Sequence, residues 1–289
     1  DFRLNFVELL FEKFNAPSVF FHKAPLLSLY AFARENSLMV DVGAEHIYCT
    51  PIQDGLIIEK GVMRADVGGE YITRKLLEIV ESRESKSKLN CTYKTPSLGK
   101  CRIINDSIDY ETFCKLEFMR EVKQAQCKVL DYKIDKLKFN EAVDKTSYEL
   151  PDKSLIILSK EIYTLPELFF QQIEGKYFNG LQYFIKQSLE KLDIDTRKDL
   201  LSNIVLTGGG SLLSNMQDRL QKEMFEIDMG GLNNRAKVFT AGQPNERKYS
   251  SWLGGSILAS MSTFSSYAMT KQEYQEHGAV LIERKCFSQ

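Results

Sequence analysis

Apolar residues recur at helical spacing from the start of the chain. In "DFRLNFVELLFEKFNAP", Phe6, Leu9, Leu10 and Phe14 fall on one side of a helix that stops before Pro17. "PLLSLYAFAR" predicts a second helix, ending near Arg34. The period then shortens. "MVDVGAEHIYCTPI" is an apolar run ending at Asp41, a tight turn at Gly43, and an alternating run to Pro51, which predicts strand, turn, strand. A third strand over "GLIIEKGVMRADV" leads through Gly68-Gly69 into a helix whose apolar face is Ile72, Leu76, Ile79 and Val80. Strands followed by helices give an α/β pattern.

Between about 82 and 106 the periodicity fails, and from Arg83 to Arg102 there are six Lys or Arg against one Glu. This stretch reads as an exposed insertion, either a solvated loop or a basic patch for nucleic acid or an acidic partner. A helix over "YETFCKLEFMREVKQAQCKVL" follows, then the strand "YELPDKSLIIL" with its turn at Pro151-Asp152. "GLQYFIKQSLEKL" places Leu181, Phe184, Ile185, Leu189 and Leu192 on one helix face. "SNIVLTGGGSLLSNMQDRL" predicts a strand, three glycines, and a helix whose face is Leu213, Met216 and Leu220. Such a turn lets backbone amides and a helix N-terminus face a bound group. The chain closes with "SSWLGGSILASMSTF", a buried-looking helix, and "TKQEYQEHG", where Thr270 and Glu273 form a capping box and Gly278 a stop.

Composition narrows the classes. With 38 basic and 39 acidic side chains the net charge is −1, so no chain-wide field draws in nucleic acid or an anionic membrane. The 289 residues, 43% of them apolar, suffice for a large core in one or two domains. The six cysteines include no C-x-x-C pair and the three histidines share no ligand spacing with them, which argues against structural zinc and for reduced thiols in an intracellular protein. The chain opens without Met and is already helical in pattern at Phe6, so it is expected to begin mid-protein.

At "LFEKFNAP", "LLSLYA", "SYELPD", "DIDTRKDL", "IVLTGGG", "ERKYSSWLGGSILASMSTF" and "TKQEYQEHGAVLIERKCF" the sequence resembles actin and the actin-related proteins, in consistent order along the chain. The resemblance implies the actin-like ATPase fold, with ribonuclease H-like α/β lobes around a nucleotide cleft, here partial and lacking the N-terminal portion with its first phosphate loop. The implied division is 1–31 with 250–289 as part of a small-lobe core subdomain, 32–67 with 177–249 as a large-lobe core subdomain, and 68–176 as a peripheral subdomain.

In that register "MVDVGAEHIYCTPI" is the second phosphate loop. The resemblance puts Asp41 on the carboxylate that orders water around a Mg ion, and Gly43 on the glycine that approaches the phosphates. Ala44 and Gln124 replace the two carboxylates that hold the ribose. At about 1.5–3 kcal/mol for each hydrogen bond to a charged group, their loss weakens nucleotide affinity by about two orders of magnitude, less if Gln124 bonds in place of its Glu. Lys123 and Lys248 match the lysines beside the purine, and Gly208, Gly209, Gly210, Ser211, Leu212 and Leu213 match the loop under the nucleoside. Taken singly, either lysine is a solvated side chain. Ala24 falls on the water-positioning glutamine and Tyr48 on the catalytic histidine. An alanine cannot position water through its side chain, and a phenol is a poor base at neutral pH. His46, two residues before Tyr48, is expected on the opposite side of the strand and not to replace it.

Gly43-Ala44-Glu45-His46 resembles the G-A-x-H loop of the fourth class of actin-related proteins, the nuclear group of chromatin-remodelling and histone-acetyltransferase complexes. The expectation is a scaffold subunit in the nucleus, binding ATP and Mg weakly, at most a very slow ATPase. Its implied partners are complex subunits such as actin and a helical segment of a remodelling ATPase, with no membrane. The alternative is a cytoskeletal, filament-forming relative that polymerises with ATP, favoured by "SWLGGSILASMSTF". A third reading is nucleic-acid binding through 83–102.

Overall fold

A six-stranded sheet organises the chain. The computed structural model describes residues 2–83, 92–94, 101–103, 108–134, 145–150 and 155–286. Ile204–Thr207 runs parallel to Val238–Phe239 on one side and to Ser37–Val42 on the other. Ser37–Val42 pairs antiparallel with Ile47–Gln53, which in turn pairs antiparallel with Leu56–Ile57 and Met63–Ala65. The central strands are apolar on both faces because helices cover both. Leu38, Val40 and Val42 point into the main core with Ile72, Leu76, Leu181 and Ile185. Met39 points the other way, joining Ile52, Val205, Leu26 and Leu29.

Elements depart from the sequence reading where local geometry intervenes. The second helix is Ala24–Ala31, three residues short of Arg34, because Ala33 turns left-handed at φ 49° and ends it. The first helix is α-helical over Phe2–Glu8 and continues as a π-turn over Leu9–Lys13. "GLIIEKGVMRADV" is not one strand: a 3-10 turn at Glu59–Gly61 divides it, and a Cβ on Gly61 would lie 2.6 Å from the Pro51 ring. The fourth helix spans Ile108–Gln126. Thr146–Glu149 and Leu155–Leu158 form an antiparallel pair, their turn at Pro151-Asp152 lying outside the described residues, as does most of the basic stretch 83–102.

Within this chain the helix Ser250–Ser260 is buried along one edge. Only Ser250, Gly254 and Leu258 are buried, while Trp252 is 73% exposed. Its buried edge meets the Ala24–Ala31 helix so closely that a Cβ on Gly254 would fall 1.6 Å from the Leu27 carbonyl oxygen.

The two ends of the chain share a small core. Ser18–Val19 pairs antiparallel with Met269–Thr270, over Val7, Phe11, Ile282 and Cys286. The Thr270–Glu273 capping box is present, with Gly278 at φ 71° ending that helix. Lys285 Nζ lies 2.6 Å and 2.7 Å from the two Glu273 oxygens. That ammonium, with the Thr270 amide, holds the Glu273 carboxyl down to about 2. A carboxyl depressed in the folded state contributes stability above its unfolded value, and loses it as pH falls through the folded value. Glu273 is therefore expected to stabilise the protein above pH 4.5 and to lose that contribution toward about pH 2. NMR titration of its side-chain carboxyl checks this; a midpoint at the ordinary carboxylate value contradicts it.

Among the described residues no His, Cys, Asp or Glu cluster could hold a metal ion, and no helix is long and apolar enough to cross a membrane. Cys49, Cys114, Cys127 and Cys286 are free thiols.

Candidate functional site

The carboxyl ends of the parallel strands Ser37–Val42 and Ile204–Thr207 lie side by side, with Asp41 opposite Thr207 in register. In α/β sheets this end is where ligands are received. Directly beyond it, the glycine loop folds back on the first strand. Gly208 takes φ 88°, and a Cβ there would lie 2.2 Å from Asp41 Oδ1, so a glycine is required on both counts. Gly210 presses equally on Val42.

Arg247 secures this loop. Its carbonyl oxygen accepts from the Gly208 amide at 3.2 Å and from Thr207 Oγ1 at 2.8 Å. Its guanidinium donates to the carbonyls of Ser211 and Ala241 and to Thr240 Oγ1. Ser211 is fully buried and donates to the Gly208 carbonyl at 2.7 Å. Sequence reading picked out the neighbouring Lys248 and missed Arg247, although the adjacent cations of "ERK" were the available signal.

The hairpin turn forms the facing wall. The Gly43 amide donates to the His46 carbonyl at 2.9 Å, so the turn itself consumes that N–H. Gly43 and Ala44 carbonyls accept from the amides of Gly69 and Glu70, at 3.0 Å and 2.7 Å, which docks the next helix onto the turn. From the Ile108–Gln126 helix, Lys123 reaches the Gly69 carbonyl at 2.7 Å and Thr73 Oγ1 at 2.8 Å. Burial pulls the Lys123 ammonium down to about 8 and pushes the Asp41 carboxyl up. An ammonium has three donors, so one remains for a ligand.

These elements enclose a cavity of about 370 Å³ lined by Gly43, Ala44, Gly69, Glu70, Ile72, Arg120, Lys123, Gln124, Phe169, Gly209, Gly210, Leu212, Leu213 and Lys248. Eight of the sequence-derived candidates thus share one wall set, from strand turn, helix and glycine loop. Asp41, Gly208 and Ser211 are not among the lining residues, and Leu213 precedes the helix Met216–Glu226 instead of sitting on its face. Glu70, Arg120 and Phe169 were not recognised in the sequence; Arg120 stands four residues before Gln124, the spacing that shares a helix face. The cavity offers cations, glycine backbone and an apolar platform, a set suited to an anionic ligand with a flat ring.

Ala24 and Tyr48 do not line this cavity. Ala24 is exposed at the start of its helix. Tyr48 is paired in register with Asp41 across the hairpin, so the two side chains emerge on the same face. The expectation for His46 fails. Side chains two apart on a strand share a face, and the His46 and Tyr48 rings meet edge-on at 6.0 Å. His46 is nonetheless engaged through Nε2, 3.2 Å from the Arg64 guanidinium, while its buried Nδ1, 3.1 Å from Asp66 Oδ1, makes no hydrogen bond among the described residues.

Residues 1–287 match the family described as Actin. The chain is 33% identical to actin-related protein 4 of Arabidopsis thaliana over 299 residues, covering 96% of this chain and 67% of that protein. It is also 33% identical to actin-related protein 4 of Oryza sativa subsp. indica, with the same coverage.

Proposed function

The chain belongs to the actin family, and we propose that it acts as a scaffold subunit of a nuclear chromatin-remodelling or histone-acetyltransferase complex. One feature supports this: in the register that the resemblance implies, Ala24, Ala44, Tyr48 and Gln124 stand where water attack and ribose binding need polar groups, while Gly209, Gly210 and Lys123 line the cavity. A fold that keeps its cleft without its reaction is suited to use as a binding part.

In this reading the cavity holds an adenine nucleotide weakly, Lys123 and Lys248 flanking the base and Gly209 and Gly210 beneath the nucleoside. Asp41, at the carboxyl end of its strand, orders water around Mg. The bound nucleotide then braces the helix carrying Lys123 against the glycine loop. Residues 1–31 with 250–289, 32–67 with 177–249, and 68–176 are the proposed subdomains. Partners are other complex subunits, actin and a helical segment of the remodelling ATPase among them.

Affinity purification of the full-length protein from nuclear extract tests the assignment. Remodelling or acetyltransferase subunits are expected as the stoichiometric partners. Filament and motility factors instead, with protein that pellets in Mg-ATP, would overturn it and favour the cytoskeletal alternative.

A further inference from the structure

Glu70 is the one carboxylate among the residues lining the cavity, against three cations, Arg120, Lys123 and Lys248. It stands beside the turn residue that the resemblance marks as having lost a carboxylate: the Glu70 amide donates to the Ala44 carbonyl at 2.7 Å. Its carboxylate is 12% exposed. Arg120 NH2 donates to Oε2 at 2.9 Å, and Arg74 Nε is 3.9 Å from Oε1, so among the described residues Oε1 accepts no hydrogen bond. Arg120 itself is anchored on its far side by Glu117.

An ionised carboxylate only accepts, so whatever it holds must donate. A phosphate cannot, and like charge would repel it; the hydroxyls of a sugar can. Resting on the nucleotide reading above, we propose that Glu70, held in place by Arg120, accepts a hydrogen bond from the ribose hydroxyls of the bound nucleotide. The sugar-binding carboxylate has moved from the turn at Ala44 to the first turn of the helix docked on it. Glu70 thereby decides sugar specificity.

The test compares ATP with 2′,3′-dideoxy-ATP on the full-length protein by calorimetry. The unaltered protein is expected to bind ATP about tenfold more tightly, the scale of one hydrogen bond to a charged group. Glu70→Ala should reduce the ratio to about twofold or less, and Glu70→Gln, a neutral acceptor of the same shape, to an intermediate value. A purely structural ion pair would leave the ratio unchanged in both variants. If Glu70→Ala does not fold, Glu70→Gln decides, and a ratio equal to that of the unaltered protein overturns the proposal. Equal binding of both nucleotides by the unaltered protein also overturns it, with nucleotide binding intact. Failure of that protein to bind ATP at all overturns the nucleotide reading and this proposal with it.

Discussion

Replacing Arg219 by Met is expected to destabilise the protein by about 3–5 kcal/mol, because it strands the buried Glu167 carboxylate and leaves buried Glu223 with Lys133 alone, 3.3 Å away. Arg219 is 1% exposed. Its guanidinium donates to both oxygens of Glu167 at 2.9 Å and 2.7 Å, to Glu223 at 2.9 Å, and to the carbonyls of Leu130 and Tyr132. It also lies over the Phe170 ring at 4.8 Å. Removing the cation leaves Glu167 and Glu223, 2% and 3% exposed, without their shared counter-charge. Burial of the guanidinium is costly in itself, and five hydrogen bonds, three of them to carboxylates, offset that cost. The segment after Lys128 and the helix Met216–Glu226 are joined through this residue. Chemical denaturation should show the loss. Adding Glu167→Gln and Glu223→Gln to Arg219→Met should recover most of it, since no net charge then remains buried. A triple variant as unstable as the single one would mean that lost packing, not stranded charge, sets the effect.

Single-turnover ATP hydrolysis by the full-length protein is expected to run at least ~10²-fold below conventional actin measured alongside it, the scale of one positioned acid–base group. In-line attack needs a water held at the γ-phosphate. Ala24 cannot hold it and is turned to solvent at the head of its helix. Tyr48 occupies the position opposite Asp41 where a base would be useful, and the nearby imidazole of His46 is engaged with Arg64. An actin-like rate would overturn the scaffold reading at its chemical root. A slow rate together with measurable nucleotide affinity is the outcome that separates loss of the reaction from loss of the site.

Much of this molecule was legible in one dimension. The helical spacing of Ile72, Leu76 and Val80 and the capping box at Thr270 are local rules, and each is realised. So is the strand–glycine–helix run at 204–226. The actin family itself is written in contiguous motifs.

What the sequence by itself determined are the elements, whose causes are local torsions and periodicity, and the family, whose motifs survive in order. Only the tertiary structure decided which residues meet. It set which edge of the Ser250–Ser260 helix meets the Ala24–Ala31 helix, because only a residue without a Cβ fits against the Leu27 carbonyl. It made Arg247 a loop clamp and Arg219 a buried hub, because their partners are remote in sequence and a charge pattern cannot reveal them. It brought Glu70 beside Ala44 through a single backbone hydrogen bond, 26 residues on along the chain. Long-range contact is a property of the packed chain, and there the chemistry of this cavity is set.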